Sequence, residues 1–217
     1  MKNNYIAQFL KVISWPILFW IGQFLLLILI GFAYCLFQNI ESFPQFINQN
    51  SYIVSFFNMI IFFPIFYRKY KKYKNKYQEK IKYPLKIVLF GIFISAFLNE
   101  LILIIKILLK IEMIVNLNIF LLLNTVLIGP ILEEILFRGI VFNQLLEFNS
   151  EKKSIFLTTL IFSLIHGNIL SILYTFIVGY FLNIIYLREK TLKSSILFHI
   201  TINFVASFLI PLIYVLV

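Results

Sequence analysis

Polar residues that could catalyse hydrolysis interrupt the apolar segments of this chain at three places. Glu133 and Glu134 are followed by Arg138, and the chain's two histidines, His166 and His199, lie in later apolar segments. An ionisable side chain at the centre of a membrane helix costs about 2.5–3.5 kcal/mol on insertion scales, so its retention indicates a function or a partner. A carboxylate and an imidazole that face one cavity can activate a water molecule. These five residues are the first candidates for a site.

Helix geometry separates the two glutamates into different roles. Glu134 and Arg138 are four residues apart, on one helix face and in the acid-before-base order that favours an ion pair. Glu133 is rotated from Glu134 by about 100°, since a helix has 3.6 residues per turn, and is expected to lack a local cation. The spacing predicts Glu133 as the carboxylate available for catalysis, and Glu134 with Arg138 as a supporting or purely structural pair.

Each histidine shares a helix face with a residue four positions away: Phe162 precedes His166, and Asn203 follows His199. At 1.5 Å of rise per residue, Glu133, the histidines and Asn203 are expected about 8–20 Å from the cytoplasmic ends of their helices. They could therefore meet in the cytoplasmic half to the middle of a membrane. A shared, water-filled pocket would offset the cost of burying each polar group.

The composition places these residues in a membrane protein. Of 217 residues, 61% are hydrophobic and 13% are charged, and the mean hydropathy is +0.95. We expect one all-α integral-membrane domain over 1–217, with two N-terminal helices and a basic loop in 1–86 and a catalytic helical core in 87–217. Because a span needs about 20 mostly apolar residues, seven segments predict a polytopic bundle: 13–37, 52–67, 87–109, 114–146, 154–167, 169–187 and 194–217. The candidate residues fall on the fourth, fifth and seventh helices.

Two glycines are predicted to shape the helices that carry the site. Gly129-Pro130 should kink or interrupt the fourth helix just before Glu133, because proline removes a helical hydrogen bond. Gly167-Asn168 should form a tight turn or a helix break directly after His166.

The positive charge is local and indicates membrane topology. The net charge is +10, yet nine of the nineteen Lys and Arg residues lie between positions 68 and 86, which favours a cytoplasmic loop over a nucleic-acid site. The other basic clusters fall on turns of the same side, which predicts a cytoplasmic N-terminus and an external C-terminus in a multi-pass protein of the cell membrane. Abundant Lys, Asn, Ile, Phe and Tyr suggest an AT-rich bacterial genome, hence a bacterial plasma membrane. The single cysteine, Cys35, excludes an intramolecular disulfide.

The motifs Glu-Glu-x-x-x-Arg, Phe-x-x-x-His and His-x-x-x-Asn, in that order on separate helices, resemble the CAAX protease and bacteriocin-processing (CPBP) family of intramembrane proteases, which includes type II CAAX prenyl endopeptidases. Residues 133–203 carry the resemblance. It implies that Glu133 and His166 activate a water, and that His199 and Asn203 stabilise the oxyanion. It also implies supporting roles for the remaining motif residues, namely Glu134, Arg138 and Phe162.

Zinc is an alternative, because two histidines and a glutamate also form a common catalytic ligand set. Glu133, His166 and His199 would then bind the metal, although no His-Glu-x-x-His motif is present. The family has been described both as metalloproteases and as metal-independent glutamate proteases. We favour a reaction that requires no cofactor, in which Asn203 donates directly to the oxyanion.

The resemblance implies an endopeptidase that cleaves a small peptide or a membrane-associated protein near the cytoplasmic side. In a bacterium this would be bacteriocin processing, peptide-signal processing or self-immunity. The expected partners are the substrate and the lipid bilayer, with no nucleic acid and no predicted oligomeric state. Two alternatives are a non-catalytic immunity or partner-binding membrane protein and a proton-coupled transporter that uses the same Glu and His groups as a relay. The absence of a detectable inverted repeat disfavours the transporter.

Overall fold

Seven helices make up the part of the chain that the computed structural model describes, which is residues 2–37, 43–74, 80–111 and 118–216. In chain order they are α1 (Lys2–Phe37), α2 (Phe43–Lys74), α3 (Pro84–Leu108), α4 (residues 119–146), α5 (Glu151–Leu164), α6 (Ile169–Glu189) and α7 (residues 192–216). The predicted all-α polytopic bundle is confirmed.

The N-terminal helices are longer than the apolar segments that predicted them. Helix α1 begins at Lys2, and α2 continues to Lys74, so the first part of the predicted basic loop is helical. Residues 75–79 of that loop lie outside the described residues. So do residues 38–42 in the first predicted external turn, and residues 112–117, which include part of the second external turn and the predicted start of α4.

Five of the described helices are long and apolar enough to cross a membrane. These spans are Asn4–Phe37, Ser51–Tyr73, Pro84–Leu108, Ile169–Glu189 and Leu192–Ile213. Their outer faces expose large apolar side chains, for example Leu29 and Phe93, each 65% exposed. Because a helix satisfies its own backbone hydrogen bonds, such a surface is stable against lipid. The chain is a multi-pass membrane protein.

Helix α4 contains two π-helical segments within its α-helical course. Its parts are Ile119–Leu122 (α), Leu123–Ile128 (π), Gly129–Glu134 (α), Ile135–Phe142 (π) and Asn143–Leu146 (α). The Gly129 N–H donates to the Asn124 carbonyl five residues back, and Pro130 has no N–H to donate. The expected kink at Gly129-Pro130 is therefore a π-helical turn rather than an interruption, as is common at functional sites.

The core is built around the second half of α4. All side chains of Ile135–Phe142 are buried, and this segment contacts α2, α5 and α7. Around it α1 packs on α2, α3 on α7, and α5 on α6.

Most basic residues of the described ranges gather at one end of the bundle, where α3, α5 and α7 begin and α2, α4 and α6 end; Lys106 and Lys110 lie towards the other end. Two contacts show this grouping: the Lys82 N–H donates to Glu189 Oε2 at 2.8 Å, and the Tyr5 hydroxyl donates to Asn149 Oδ1 at 3.2 Å. We call this the basic end; the opposite end, which holds the turn at Gly167, is the far end. Gly167 has a φ of 83°, and α5 ends at Leu164, as predicted for this turn.

Candidate active site

A cavity of about 290 Å³ lies between α4, α5, α6 and α7, with one wall from α2. All four residues assigned catalytic roles from the sequence line it, namely Glu133, His166, His199 and Asn203. The other lining residues are Met59, Asn124, Thr125, Gly129, Phe162, Tyr174, Thr175 and Val178. The fold thus brings together polar residues from three helices in one concave site, the arrangement typical of ligand-binding pockets.

Beneath the cavity, Arg138 and Glu134 form an ion pair with no solvent exposure. Arg138 Nη1 lies 2.9 Å from Glu134 Oε1, and both side chains are 0% exposed. Arg138 Nε also donates to Asn183 Oδ1 at 3.2 Å, and Nη2 to the Gly179 carbonyl at 3.0 Å. Arg138 therefore links α4 to α6 through a buried hydrogen-bond network, in which each donor compensates for the loss of water. The pairing predicted from the spacing of Glu134 and Arg138 is present.

His199 is held by the same carboxylate. Its Nδ1 lies 3.0 Å from Glu134 Oε1, across 65 residues of sequence, and the side chain is almost fully buried. Because a carboxylate accepts hydrogen bonds, this contact assigns a proton to Nδ1 and directs Nε2 towards the cavity. The chain Arg138–Glu134–His199 therefore fixes the orientation of the imidazole, a role for Glu134 that helix spacing alone did not indicate.

Glu133 is the more accessible of the two carboxylates. Its side chain is 23% exposed, and its Oε2 lies 3.8 Å from His199 Nε2. The imidazole beside Glu133 thus belongs to α7, a neighbour that spacing within α4 does not predict.

His166 sits at the end of α5 and is oriented by its own helix. Its Nδ1 lies 2.7 Å from the Phe162 carbonyl, which assigns the proton to Nδ1 and leaves Nε2 as the free nitrogen. The Phe162 ring contacts both histidines, with centroid distances of 4.8 Å to His166 and 5.9 Å to His199, and lies 4.6 Å from the Arg138 guanidinium carbon. Phe162 therefore separates the buried ion pair from the cavity.

Asn203 is positioned by the π-helical turn in α4. Its Nδ2 donates to the Thr125 carbonyl at 2.8 Å. That carbonyl is available because the Gly129 N–H bonds to Asn124 instead and Pro130, the next residue, has no N–H. An amide nitrogen carries two protons, so Asn203 keeps one for a ligand in the cavity.

Sequence reasoning missed four polar residues that line the cavity: Asn124, Thr125, Tyr174 and Thr175. Asn124 is 7% exposed, and its Oδ1 has no hydrogen-bond partner among the described residues. An asparagine inside an apolar segment was a usable signal. Tyr174 lines the cavity and accepts a hydrogen bond from Asn99 Nδ2 at 3.4 Å, and only the packing of α3 near α6 reveals this.

A second cavity, of about 610 Å³, adjoins the first; His166, Tyr174 and Thr175 line both. It extends along Asn99 and Lys106 of α3 to the far end, where Asn168 and Ile111 lie. Helix α5 has 14 residues, a length of about 21 Å. The second cavity extends from the site towards the far end, away from the basic end.

Chemically, Glu133, His166 and His199 are suitable zinc ligands, and both imidazoles have the Nδ1 hydrogen bond that often supports a metal ligand. Among the described residues, however, no three His, Cys, Asp or Glu side chains converge closely enough to hold a metal ion. As placed, Glu133, His166 and His199 do not converge into a zinc site.

One family model matches part of the chain. Residues 115–205 match the model described as type II CAAX prenyl endopeptidase Rce1-like, a range that includes all three motifs. No curated protein and no solved structure matches the chain. The matched range is less than half of the chain, and over this range the chain is similar to type II CAAX prenyl endopeptidases.

Proposed function

We propose that the protein is an intramembrane endopeptidase that hydrolyses a peptide bond with a water activated by Glu133 and His166. The observation that carries the proposal is the meeting of Glu133, His166, His199 and Asn203 in one cavity of about 290 Å³, with His199 oriented by the buried Glu134. The family match supports the same reaction class. The reaction needs neither a serine or cysteine nucleophile nor a cofactor.

In this mechanism, Glu133 accepts a proton from the attacking water, which His166 orients through its unprotonated Nε2. The water oxygen bonds to the substrate carbonyl carbon, and the carbonyl oxygen becomes negatively charged. Protonated His199, through Nε2–H, and Asn203, through its second Nδ2–H, donate to that oxygen. One such donor contributes about 3–4 kcal/mol to transition-state stabilisation. Glu133 then returns the proton to the leaving amine as the C–N bond breaks.

We further propose that the substrate is a small peptide or a membrane-associated protein that enters through the 610 Å³ cavity. With the basic end on the cytoplasmic side of a bacterial plasma membrane, the substrate approaches from the opposite side, instead of being cleaved near the cytoplasmic side as the sequence predicted. Bacteriocin processing, peptide-signal processing and self-immunity are all compatible with a peptide substrate, and the choice among them rests on family analogy.

The direct test is proteolysis by the purified protein, with two substrate sets: peptides encoded beside its gene and a prenylated C-terminal CAAX peptide. Glu133→Gln should abolish cleavage, because the amide cannot accept the water proton, and His166→Gln and His199→Gln should reduce it at least about a hundredfold. Glu100→Gln is the matched control, since Glu100 is an exposed carboxylate on α3 that lines neither cavity.

The alternative functions are distinguished by two further measurements, protection of cells and solute uptake in sealed vesicles. A non-catalytic immunity or partner-binding protein would protect cells equally well with Glu133→Gln. A proton-coupled transporter would take up solute in sealed vesicles without cleaving any peptide. Either result, obtained with protein that accumulates normally, would overturn the endopeptidase proposal.

A further inference from the structure

A third cavity, of about 600 Å³, lies at the basic end between α3 and α6, remote from the candidate active site. We call it the α3–α6 groove, and it is lined by Lys82, Tyr83, Lys86, Ile87, Phe90, Tyr180, Phe181, Ile184, Ile185, Arg188 and Glu189. None of these residues lines either of the two cavities at the site.

Three cations face this groove. Lys82, Lys86 and Arg188 are all exposed, and one carboxylate, Glu189, brings the net charge of the lining to +2. Glu189 is 8% exposed, and its Oε2 accepts a hydrogen bond from the Lys82 backbone N–H at 2.8 Å. This hydrogen bond connects the start of α3 to the end of α6. Within the described parts of the chain, the Lys82 and Arg188 side chains have no hydrogen bond or ion pair, so both are available to an anion.

The wall below the cations is apolar and aromatic. It consists of Ile87 and Phe90 from α3 and Phe181, Ile184 and Ile185 from α6. The Phe90 ring contacts Phe181 with a centroid distance of 5.2 Å. Phe90 remains 37% exposed, on the face of α3 that meets lipid. A ligand that matches the groove therefore needs an anionic group joined to a long apolar chain.

We propose that the α3–α6 groove binds an anionic phospholipid, with the phosphate between Lys82, Lys86 and Arg188 and one acyl chain along the Phe90–Ile184 wall. Charge complementarity selects this occupant, because basic pockets between membrane helices at the cytoplasmic face bind acidic headgroups. Phe90 also stacks on Phe198, with ring centroids 5.5 Å apart. Since Phe198 directly precedes His199, a bound acyl chain would support the part of α7 that carries this histidine.

Lipid binding is measured on the purified full chain in detergent by native mass spectrometry, titrating dioleoyl phosphatidylglycerol against dioleoyl phosphatidylcholine. We expect the anionic lipid to bind about tenfold or more tightly than the zwitterionic one, given three cations at the headgroup. The triple variant Lys82→Gln, Lys86→Gln, Arg188→Gln should lose this preference. A wild type that binds both lipids equally would overturn the proposal.

The matched control is Lys72→Gln, Lys152→Gln, Lys193→Gln, which removes three exposed charges at the same end but outside the groove. It should retain the preference within about threefold; an equal loss would indicate general surface attraction and contradict a defined site. If the groove triple variant does not accumulate, Arg188→Gln alone replaces it. This single variant should lose part of the preference for the anionic lipid, less than the triple variant would. An unchanged preference would contradict the proposed site.

Two further arms separate a lipid from a free anion. Inorganic phosphate in large excess should not displace the bound phosphatidylglycerol, and dihexanoyl phosphatidylglycerol should bind about tenfold more weakly because its chains bury less apolar surface. Displacement by phosphate, or equal binding of the short-chain lipid, would show that the groove recognises only the anion and would overturn the lipid assignment.

Discussion

Asn203 donates its side-chain amide to the Thr125 carbonyl at 2.8 Å, replacing a main-chain donor that Pro130 cannot supply. This hydrogen bond joins α7 to the π-helical turn of α4 and sets the position of a proposed oxyanion donor. Gly129-Pro130 thus leaves the Thr125 carbonyl without a main-chain donor, and this carbonyl then positions Asn203 in the site.

The role of Pro130 can be tested by restoring the missing N–H. Pro130→Ala should leave the free energy of unfolding unchanged or raise it, because proline disfavours a helix interior. It should also lower kcat/KM about tenfold, since the new N–H can compete with Asn203 for the Thr125 carbonyl and allow the amide to move. Cleavage assays and unfolding in mixed micelles measure both effects. Pro64→Ala, an exposed proline inside α2, is the control. Unchanged cleavage by Pro130→Ala would show that this π-helical turn does not contribute to catalysis.

Arg138→Met should destabilise the protein by about 3–5 kcal/mol, because Glu134 would remain buried without its cation. The Asn183 and Gly179 acceptors would lose their donors as well. Unfolding by titrated denaturing detergent gives the free energy. Arg68→Met, which removes an exposed arginine from α2, should change it by less than about 0.5 kcal/mol. Similar losses for the two variants would mean that the buried pair contributes no special stability.

Gly179→Ala tests the contact between α6 and Phe162. A Cβ at position 179 would lie 2.9 Å from Phe162 Cδ1, closer than normal packing allows, so we expect a loss of about 1–3 kcal/mol and a slower reaction as the ring moves against the histidines. The double variant Gly179→Ala, Phe162→Leu should recover part of the lost stability, because the smaller leucine side chain leaves space for the new Cβ. A double variant no better than the sum of the two single variants would argue against this contact as the cause.

The orientation proposed for the site predicts which ends of the bundle are accessible from each side. In a Cys35→Ala background, a cysteine at Asn168 should react with an impermeant thiol reagent added to intact cells. A cysteine at Lys152 should react only after permeabilisation, because Lys152 lies at the basic end. The reverse pattern would place the active site on the cytoplasmic side and contradict the proposed route of substrate entry.

Metal removal distinguishes the two proposed chemistries. If Glu133 and His166 activate water without zinc, the purified enzyme should keep its full activity after dialysis against a chelator, with metal well below one equivalent in the same sample. Under the zinc alternative, activity should fall with metal content and return when zinc is added. Asn203→Ala provides a second readout: a loss of about a hundredfold or more in kcat is expected if Asn203 donates directly to the oxyanion.

The sequence determined the helical architecture and the chemical identity of the site. Long apolar segments can lie in a membrane only as helices or closed barrels, and seven such segments predicted the seven helices of the described residues. Local spacing also predicted the Glu134–Arg138 pair, because residues four apart always share a helix face. The three motifs identified four polar residues that line the cavity, Glu133, His166, His199 and Asn203, without any knowledge of their distances.

Only the tertiary structure decided how these residues work together. Glu134 orients His199 across 65 residues, and Thr125 receives Asn203 across 78, contacts that depend on helix packing rather than on helical periodicity. His199 places an imidazole 3.8 Å from Glu133, a neighbour that comes from another helix and that spacing within α4 does not predict. The packing of α3 near α6 decided where the second cavity lies and in which direction it extends. Helical periodicity predicts which residues share a face of one helix, whereas helix packing decides which other helix contacts that face.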